Sequence, residues 1–228
     1  MDLDRRARVH AALGEPARLA IVDRLVPGDA SPGELATEFG LATNLLAHHL
    51  RVLQEAGVIR RVQSEGDRRR AYVQLRTEDP LVWAAISTSP QALAAGQRVV
   101  FVCTHNSARS QLAAACWRKV SAVPAASAGT HPAARVHLGA VAVGRRHGLR
   151  LGRARTAHVD QVVAPGDLVV AVCDNAHEEM DPAVGRLHWS IPDPVRDGTE
   201  PAFDAAYDEI TRRVGALAAT AGLSADRP

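Results

Sequence analysis

A cysteine and an arginine separated by five residues are the feature of this sequence that most directly predicts chemistry. They are Cys103 and Arg109, and the five residues between them, THNSA, are small and polar. An apolar strand precedes this loop and an amphipathic helix follows it, so the backbone N–H groups of the loop can surround a tetrahedral oxyanion where the helix begins. The predicted oxyanion-binding residues are Thr104, His105, Asn106, Ser107, Ala108 and Arg109.

Cys103 is the predicted nucleophile of this loop. The helix dipole and the Arg109 guanidinium both favour its thiolate form, and Ser110 can donate a hydrogen bond to that thiolate. The alternative is a buried cysteine at a strand end beside an arginine that only caps a helix. The position of the pair between a strand and a helix favours the chemical interpretation.

The elements around this loop predict an α/β domain. Apolar strands are expected near residues 99–102, 125–128, 168–172 and 187–190, and helical segments alternate with them. This alternation is typical of βα units that build a four-stranded parallel sheet. The predicted site then lies at the carboxyl end of the first of these strands.

Three further segments carry a family resemblance. They are SAGTHPAARVHLGAVAVGRRHG, GDLVVAVCDNAHEE and LHWSIPDPVRDG. With the Cys103 loop they resemble the low-molecular-weight tyrosine phosphatase fold, and specifically its arsenate reductase branch, over residues 98–222. The resemblance implies that Cys103 attacks the oxyanion, that Arg109 and the loop bind it, and that Asp193 is the general acid. Without the resemblance, Asp193 would be interpreted as a turn residue before Pro194.

A second thiol distinguishes an arsenate reductase from a tyrosine phosphatase of this fold. Cys173 lies in the run VCDNAHEE, which resembles the segment where thioredoxin-coupled reductases carry their second redox cysteine. A third cysteine is expected seven residues later, where this sequence has Met180. Cys173 could form a disulfide with Cys103, or an external thiol could resolve the adduct directly. Cys116 lies on an alanine-rich apolar stretch and is predicted to belong to the core.

Two further features of the sequence favour arsenate as the substrate. The residues after Pro194, VRDG, lack the aromatic side chain that tyrosine phosphatases commonly have there, and the loop pattern NSARSQ is nearer the reductase form. The expected reductant is an external thiol system, namely thioredoxin, mycothiol or glutaredoxin with glutathione, and no bound cofactor or metal is predicted. Two alternatives stay open: a tyrosine phosphatase fused to a regulator, and a transcription factor that only senses an oxyanion.

The first third of the chain predicts helices followed by a hairpin. Ser31 is a plausible N-cap before Pro32 and Glu34, and a second helix is expected over residues 43–56. In that second helix three leucines recur at helical spacing and should face the core, whereas its other side is polar. The segment VIRRVQSEGDRRRAYVQL alternates apolar and polar residues on either side of an arginine-rich tip, which indicates a two-stranded wing.

Residues 8–76 resemble the arsenic-repressor family of winged-helix transcriptional regulators. The resemblance implies promoter or operator DNA as a partner, a homodimer, and often a metal sensed through cysteines, but no cysteine precedes Cys103 in this chain. Arginines at phosphates and polar side chains at base edges are the expected DNA contacts. The predicted DNA-binding residues are Thr43, Asn44, His48, Arg51, Arg68, Arg69 and Arg70. His49 lies nearer the core side and is expected to be structural.

Length and composition limit which class of protein and which domain organisation are possible. The 228 residues are 46% hydrophobic, which is an ordinary globular share, and the apolar runs are too short to span a bilayer. A cytoplasmic protein with no membrane partner is therefore expected. Residues 98–159 contain ten basic side chains and no acidic one, which suits an anionic ligand. The predicted organisation is a multidomain chain: a winged helix-turn-helix (α+β) domain over residues 1–80, a linker over 81–97, and the α/β domain over 98–222.

Overall fold

The computed structural model of the chain describes residues 3–86 and 98–220. The described residues form two compact units, and each is described by itself. The first comprises residues 3–64 and 68–86, and the second comprises residues 98–220 together with residues 65–67. No helix among these residues is both long and apolar enough to cross a membrane.

The first unit contains five helices and one hairpin among its described residues. The elements are α1 (Leu3–Leu13), α2 (Pro16–Leu25), α3 (Pro32–Phe39), α4 (Thr43–Glu55), β1 (Ile59–Gln63), β2 (Ala71–Leu75) and α5 (Pro80–Ile86). The strands β1 and β2 pair antiparallel, with Ile59 opposite Leu75 and Gln63 opposite Ala71. This order of a helix pair followed by a hairpin confirms the predicted winged helix-turn-helix.

Helices α3 and α4 begin and pack largely as the sequence predicts. Ser31 caps α3, and the reciprocal bond from its backbone N–H to the Glu34 carboxylate completes a capping box. Leu46, Leu50 and Leu53 of α4 are buried in the core of the unit. Leu19 of α2, by contrast, is 41% exposed.

Helix α5 belongs to the core of the first unit. Val82 and Ile86 are buried there with residues of the other helices. This helix therefore extends into residues 81–86 of the segment that the sequence suggests as a linker, and its two buried side chains attach that part of the chain to the first unit.

The second unit is an α/β layer structure. Its elements are β3 (Val99–Cys103), α6 (Arg109–Val120), β4 (Ala125–Gly129), α7 (Leu138–Arg146), α8 (Val159–Val162), β5 (Leu168–Ala171), α9 (Asp174–Glu179), β6 (Arg186–His188), α10 (Pro194–Asp197) and α11 (Glu200–Thr220). The strands form one sheet in the order β4-β3-β5-β6, and every pairing is parallel. The predicted four-stranded parallel sheet is confirmed, with its last strand shifted to Arg186–His188.

The hydrophobic core of this unit surrounds strand β3. All five residues of β3 are buried, and Phe101 packs against Trp117 of α6 and Trp189 at ring-centroid distances of 6.1 and 5.7 Å. A strand that is buried on both faces is typical of the interior of a parallel sheet. The loop that follows β3 is thereby held at the centre of the carboxyl edge of the sheet.

Candidate functional site

The loop after β3 has a backbone conformation that only a few residue types adopt readily. Asn106 has φ of 49°, and it is the non-glycine residue with positive φ in the described parts of the chain. Asparagine tolerates this left-handed region better than most residues because its short amide can bond locally. The turn at Asn106 closes the loop so that α6 can begin at Arg109.

The Asn106 amide connects three parts of this loop and its surroundings. Its Nδ2 atom donates to Ser110 Oγ at 2.8 Å, and its Oδ1 atom accepts from the Ala157 backbone N–H at 3.0 Å. Gln111 Nε2 lies 3.2 Å from the same Oδ1 and donates to the Arg155 carbonyl at 2.9 Å. These buried bonds hold the loop against the chain segment around residues 155–157.

Strand β4 supports the loop from the other side through a glycine. A Cβ atom at Gly129 would lie 2.7 Å from the Thr104 carbonyl oxygen and 2.9 Å from the Asn106 backbone nitrogen. Real Cβ atoms do not approach backbone this closely, so the position requires glycine. Thr130 and His131 next along the chain donate their N–H groups to the carbonyls of Cys103 and Thr104.

The structure brings Cys103, Ser110 and Cys173 to this edge of the sheet. The sulfur of Cys103 lies 3.1 Å from Ser110 Oγ, as expected of a hydroxyl that supports a thiolate. Cys173 is the N-cap of α9, and its sulfur lies 3.5 Å from Thr104 Oγ1. Both sulfur atoms are reduced and buried. The second thiol therefore contacts the predicted anion loop itself.

Burial raises the pKa of the Cys173 thiol. The Arg109 guanidinium and the Thr104 hydroxyl act in the opposite direction, whereas the neighbouring Cys103 adds to the increase. The raised pKa favours the protonated thiol of Cys173 at neutral pH. It must lose its proton before it can act as a nucleophile.

Arg109 lies between the loop and the segment after β6. Its NH1 atom donates to the Ile191 carbonyl at 2.8 Å, and its NH2 atom lies 3.2 Å from Asp193 Oδ2. Desolvation acts to lower the pKa of Arg109, but the charges of Cys173, Cys103 and Asp193 outweigh it, and the net pKa is raised. The guanidinium is therefore a permanent positive charge at the site.

Asp193 has a structural contact as well as its contact with Arg109. Its Oδ1 atom accepts from the Val195 backbone N–H at 3.1 Å, which makes it the N-cap of the short helix α10. The Asp193 carboxylate therefore fits both interpretations that the sequence allows, a turn residue and a general acid. The structure places it beside the predicted anion site.

The segment that carries Cys173 is fastened to β6. Asp174 accepts from His188 at 3.0 Å, and both side chains are 2% exposed. Although burial acts to raise the pKa of Asp174, hydrogen bonds from His188 and Ser190 lower it overall. The His177 ring stacks on His188 at 4.1 Å. These contacts fix where α9 begins, and hence where Cys173 lies.

Sequence reasoning did not anticipate several members of this site. Gln111, Gly129 and the backbone of Arg155 and Ala157 were given no role, and Thr104 was expected to bind the anion rather than to contact Cys173. Gly129 stands in the motif SAGT. This motif contributes to the family resemblance, but the sequence alone gives no physical reason for its glycine. Cys116 is 4% exposed in the core, where its sulfur lies 3.7 Å from Thr211 Oγ1.

The polar face of α4 in the first unit is open to solvent. The side chains of Thr43, Asn44, His48 and Arg51 are exposed there, and Arg51 NH2 lies 3.2 Å from His48 Nδ1. His49 is buried at 7% exposure, with its Nδ1 atom 3.5 Å from Glu15. The three predicted wing arginines, residues 68–70, are exposed between β1 and β2.

Comparison with known proteins identifies both halves of the chain. Residues 98–227 match the family described as low molecular weight phosphotyrosine protein phosphatase, and residues 13–62 match a helix-turn-helix domain. The chain belongs to the low molecular weight phosphotyrosine protein phosphatase family, with a helix-turn-helix domain fused in front of the phosphatase-like domain.

Individual proteins are similar to one part of this chain each. An arsenate reductase of Brevibacillus brevis is 33% identical over 129 residues, which is 54% of this chain and 94% of that protein. The transcriptional repressor SdpR of Bacillus subtilis is 37% identical over 51 residues, which is 22% of this chain and 57% of that repressor. The crystal structure of an arsenate reductase from Archaeoglobus fulgidus has 30% identity and a TM-score of 0.45, and the match covers 51% of this chain and 94% of that one.

Proposed function

We propose that the second unit is a thiol-dependent arsenate reductase and that the first unit is a DNA-binding regulator of transcription. The observation that carries the enzymatic part is the contact between Cys173 and the anion loop, at 3.5 Å from Thr104 Oγ1. A hydrolytic phosphatase needs one nucleophilic thiol, whereas reduction of arsenate consumes two. The similarity to an arsenate reductase over 94% of its length supports the same conclusion.

The first step forms a bond between Cys103 and arsenic. The loop N–H groups and Arg109 bind arsenate, and the Cys103 thiolate attacks the arsenic(V) atom while one oxygen leaves as water. Asp193 supplies the proton to the departing oxygen, for which it must be in its acid form. Ser110 stabilises the thiolate before the attack and has no redox role.

The second step transfers the electrons. The Cys173 thiolate attacks the sulfur of Cys103, the sulfur–arsenic bond breaks, and its electron pair stays on arsenic, which leaves as arsenite(III). The two cysteines are oxidised together to one disulfide, so two electrons are lost by sulfur and two are gained by arsenic. An external thiol system, namely thioredoxin, mycothiol or glutaredoxin with glutathione, then reduces the disulfide.

The DNA-binding part of the proposal rests on the exposed polar face of α4. Thr43, Asn44, His48 and Arg51 contact base edges in the major groove, and Arg68, Arg69 and Arg70 contact phosphates or the minor groove. The partner is promoter or operator DNA, bound by a homodimer. The similarity to the helix-turn-helix segment of a repressor supports this assignment.

A phosphatase is the second candidate because Asp193 lies 3.2 Å from Arg109, where an acid for hydrolysis is also needed. In that case water, rather than Cys173, would resolve the Cys103 adduct. The two activities share the first step and differ only in the second. A third candidate is an oxyanion sensor without turnover. It requires that neither Cys173 nor water resolves the Cys103 adduct.

The deciding experiment maps the disulfides of the full chain after arsenate is added without external thiol. A Cys103–Cys173 disulfide and one arsenite per chain are expected in the wild type and in Cys116→Ala, which removes the thiol of the core. Cys173→Ser should give neither. If the wild type yields no arsenite with any of the three thiol systems but hydrolyses p-nitrophenyl phosphate, the phosphatase is correct; if it does neither, the sensor is.

A further inference from the structure

A cavity outside the Cys103 site lies between α7 and the chain segment that follows it. It has a volume of about 530 Å³ and is lined by Val141, Arg145, Leu149, Arg150, Leu151, Gly152 and Arg153. None of these residues takes part in the site described above. The cavity size is within the range of about 300–1,000 Å³ that small-molecule sites occupy.

The sequence builds this cavity by reversing the chain after α7. Gly148 has φ of +71°, and the Leu149 N–H donates back to the Gly144 carbonyl at 2.7 Å. The returning segment packs against the helix at Gly144, where a Cβ atom would lie 2.8 Å from Leu151 Cδ1. The walls of the cavity are therefore held together by close packing of backbone and side chains.

The floor of the cavity is apolar. Leu149 and Leu151 are 7% and 3% exposed, and Val141 is half-buried on the same side of α7. An apolar floor favours a ligand that has an apolar part, because such a part can pack against the floor without leaving polar groups unsatisfied. A simple hydrated anion would gain nothing from it.

Three arginines surround this floor without carboxylate partners. Within the described parts of the chain, no Asp or Glu oxygen lies within 4.0 Å of the guanidinium groups of Arg145, Arg150 or Arg153. By contrast, the neighbouring Arg146 pairs with Glu200 at 2.8 Å and also with Asp204. Exposed guanidinium groups that converge on one cavity repel one another, and a polyanion would relieve that repulsion.

We propose that this cavity binds a small molecule that joins a polyanionic group to a planar apolar ring, as in a nucleoside polyphosphate. The ring packs against the apolar floor beside Val141, and the arginines bind the phosphates, which guanidinium groups contact in bidentate geometry. A concave site of this volume favours such a ligand over the backbone of duplex DNA, which follows a surface. The proposed site is independent of Cys103 and of arsenate.

The test uses the full chain and the fluorescent nucleotide TNP-ATP, with saturating inorganic phosphate present to occupy the Cys103 loop. Saturable binding is expected, and unlabelled ATP should displace the probe. Arg150→Ala with Arg153→Ala should weaken binding about tenfold or more, because the two substitutions remove charge-assisted contacts to the phosphates. Gln at both positions should weaken it similarly, because the charge is what matters.

The matched control replaces two other exposed arginines, Arg118 and Arg135, with alanine. They lie in the same acid-free part of the sequence but outside the cavity, so binding should change less than twofold. An equal loss in both double variants would show diffuse charge and overturn the proposal. Tripolyphosphate that competes as well as ATP would overturn the role of the apolar floor.

Duplex DNA provides the remaining comparison. It is added as competitor to the variant Arg68→Ala/Arg69→Ala/Arg70→Ala, in which the wing is weakened. TNP-ATP should stay bound at DNA concentrations that saturate the wild-type wing. Displacement of the probe by DNA from this wing variant would overturn the small-molecule site and assign this surface to nucleic acid instead.

Discussion

The Thr104 hydroxyl lies 3.5 Å from the sulfur of Cys173. Thr104 follows β3 and Cys173 follows β5, and these two strands are neighbours in the parallel sheet. Because the carboxyl ends of parallel strands meet at one edge, the anion loop and the second thiol come together although they lie far apart in the sequence. The hydroxyl opposes the effect that burial has on the pKa of the thiol.

Replacing Thr104 with valine should therefore slow the second step of reduction. The variant loses the hydrogen bond to Cys173, so less of that thiol ionises at neutral pH. We expect the rate of disulfide formation after arsenate addition to fall about 3- to 10-fold, which corresponds to roughly 0.5–1.5 kcal/mol for one hydrogen bond. Quenched-flow alkylation of free thiols measures this rate.

Thr211→Val is the matched control for this variant. Thr211 contacts the remaining cysteine, Cys116, at 3.7 Å in the core, and its loss should leave disulfide formation within twofold of wild type. If Thr104→Val forms the disulfide as fast as wild type, the hydroxyl has no part in presenting Cys173.

The raised pKa of Cys173 predicts how reduction depends on pH. Below that pKa the thiolate fraction increases about tenfold for each pH unit, so the second step should accelerate from neutral to mildly alkaline pH. Single-turnover arsenite release between pH 7 and 9 measures the slope. With Cys173→Ser and an excess of an external thiol, the slope should instead follow the pKa of that thiol. A wild-type rate that stays flat or falls over this range would contradict the mechanism.

The sequence predicts the parts of the site that depend on local order. The strand, the polar loop and the helix around Cys103 follow from apolar runs and residue spacing, and the structure places Ser110 where that order suggests. The bond from the Asn106 amide to the Ala157 backbone could not be predicted in this way. It joins positions far apart in the chain, and such contacts leave no periodic pattern in the sequence.

Helical spacing does not by itself decide which side chains are buried. Leu19 and Val22 are three residues apart on α2, yet Val22 is buried and Leu19 is exposed. Spacing defines a helical face only to within the width of about one residue, and the neighbouring elements decide which edge of that face is covered. The same limit applies to Cys173, whose strand ends at Ala171 and whose position depends on α9.

The wing arginines should set the salt dependence of DNA binding. Replacing Arg68, Arg69 and Arg70 with alanine should weaken binding to all sequences and lower the slope of log K against log salt by roughly 1 for each arginine at a phosphate. Fluorescence anisotropy at several salt concentrations gives this slope. Arg6→Ala with Arg8→Ala, exposed on α1, is the control and should leave it unchanged. An unchanged slope in the triple variant would remove the wing from the interface.

The two properties of Asn106, its positive φ and its amide bonds, can be separated by two substitutions. Glycine accepts the φ of 49° but loses the bonds to Ser110, Gln111 and Ala157, whereas alanine loses both. We expect both variants to lower the free energy of unfolding, by about 1–3 kcal/mol for the unsatisfied groups, and alanine by a further amount on the order of 1 kcal/mol. Urea denaturation measures both. Equal losses would mean that backbone strain is negligible here.

The last prediction follows from the close contact between Gly129 and the anion loop. Alanine at this position would bring a Cβ atom to 2.7 Å from the Thr104 carbonyl and 2.9 Å from the Asn106 nitrogen, and both of these partners are backbone atoms. The loop must then move, which changes the direction of the N–H groups that bind the anion. We expect a loss of about 1–3 kcal/mol in stability, typical of overpacking, and weaker binding of phosphate by isothermal titration calorimetry.

Gly185→Ala provides the comparison, because no atom outside its immediate neighbours lies within 4 Å of the added Cβ. This variant should keep the stability and phosphate affinity of the wild type. If Gly129→Ala binds phosphate as tightly as Gly185→Ala does, the loop can yield without losing its shape, and the requirement for glycine would be one of stability alone. Weaker phosphate binding in Gly129→Ala alone would show that strand β4 determines the geometry of the anion site, although it contributes no side chain to it.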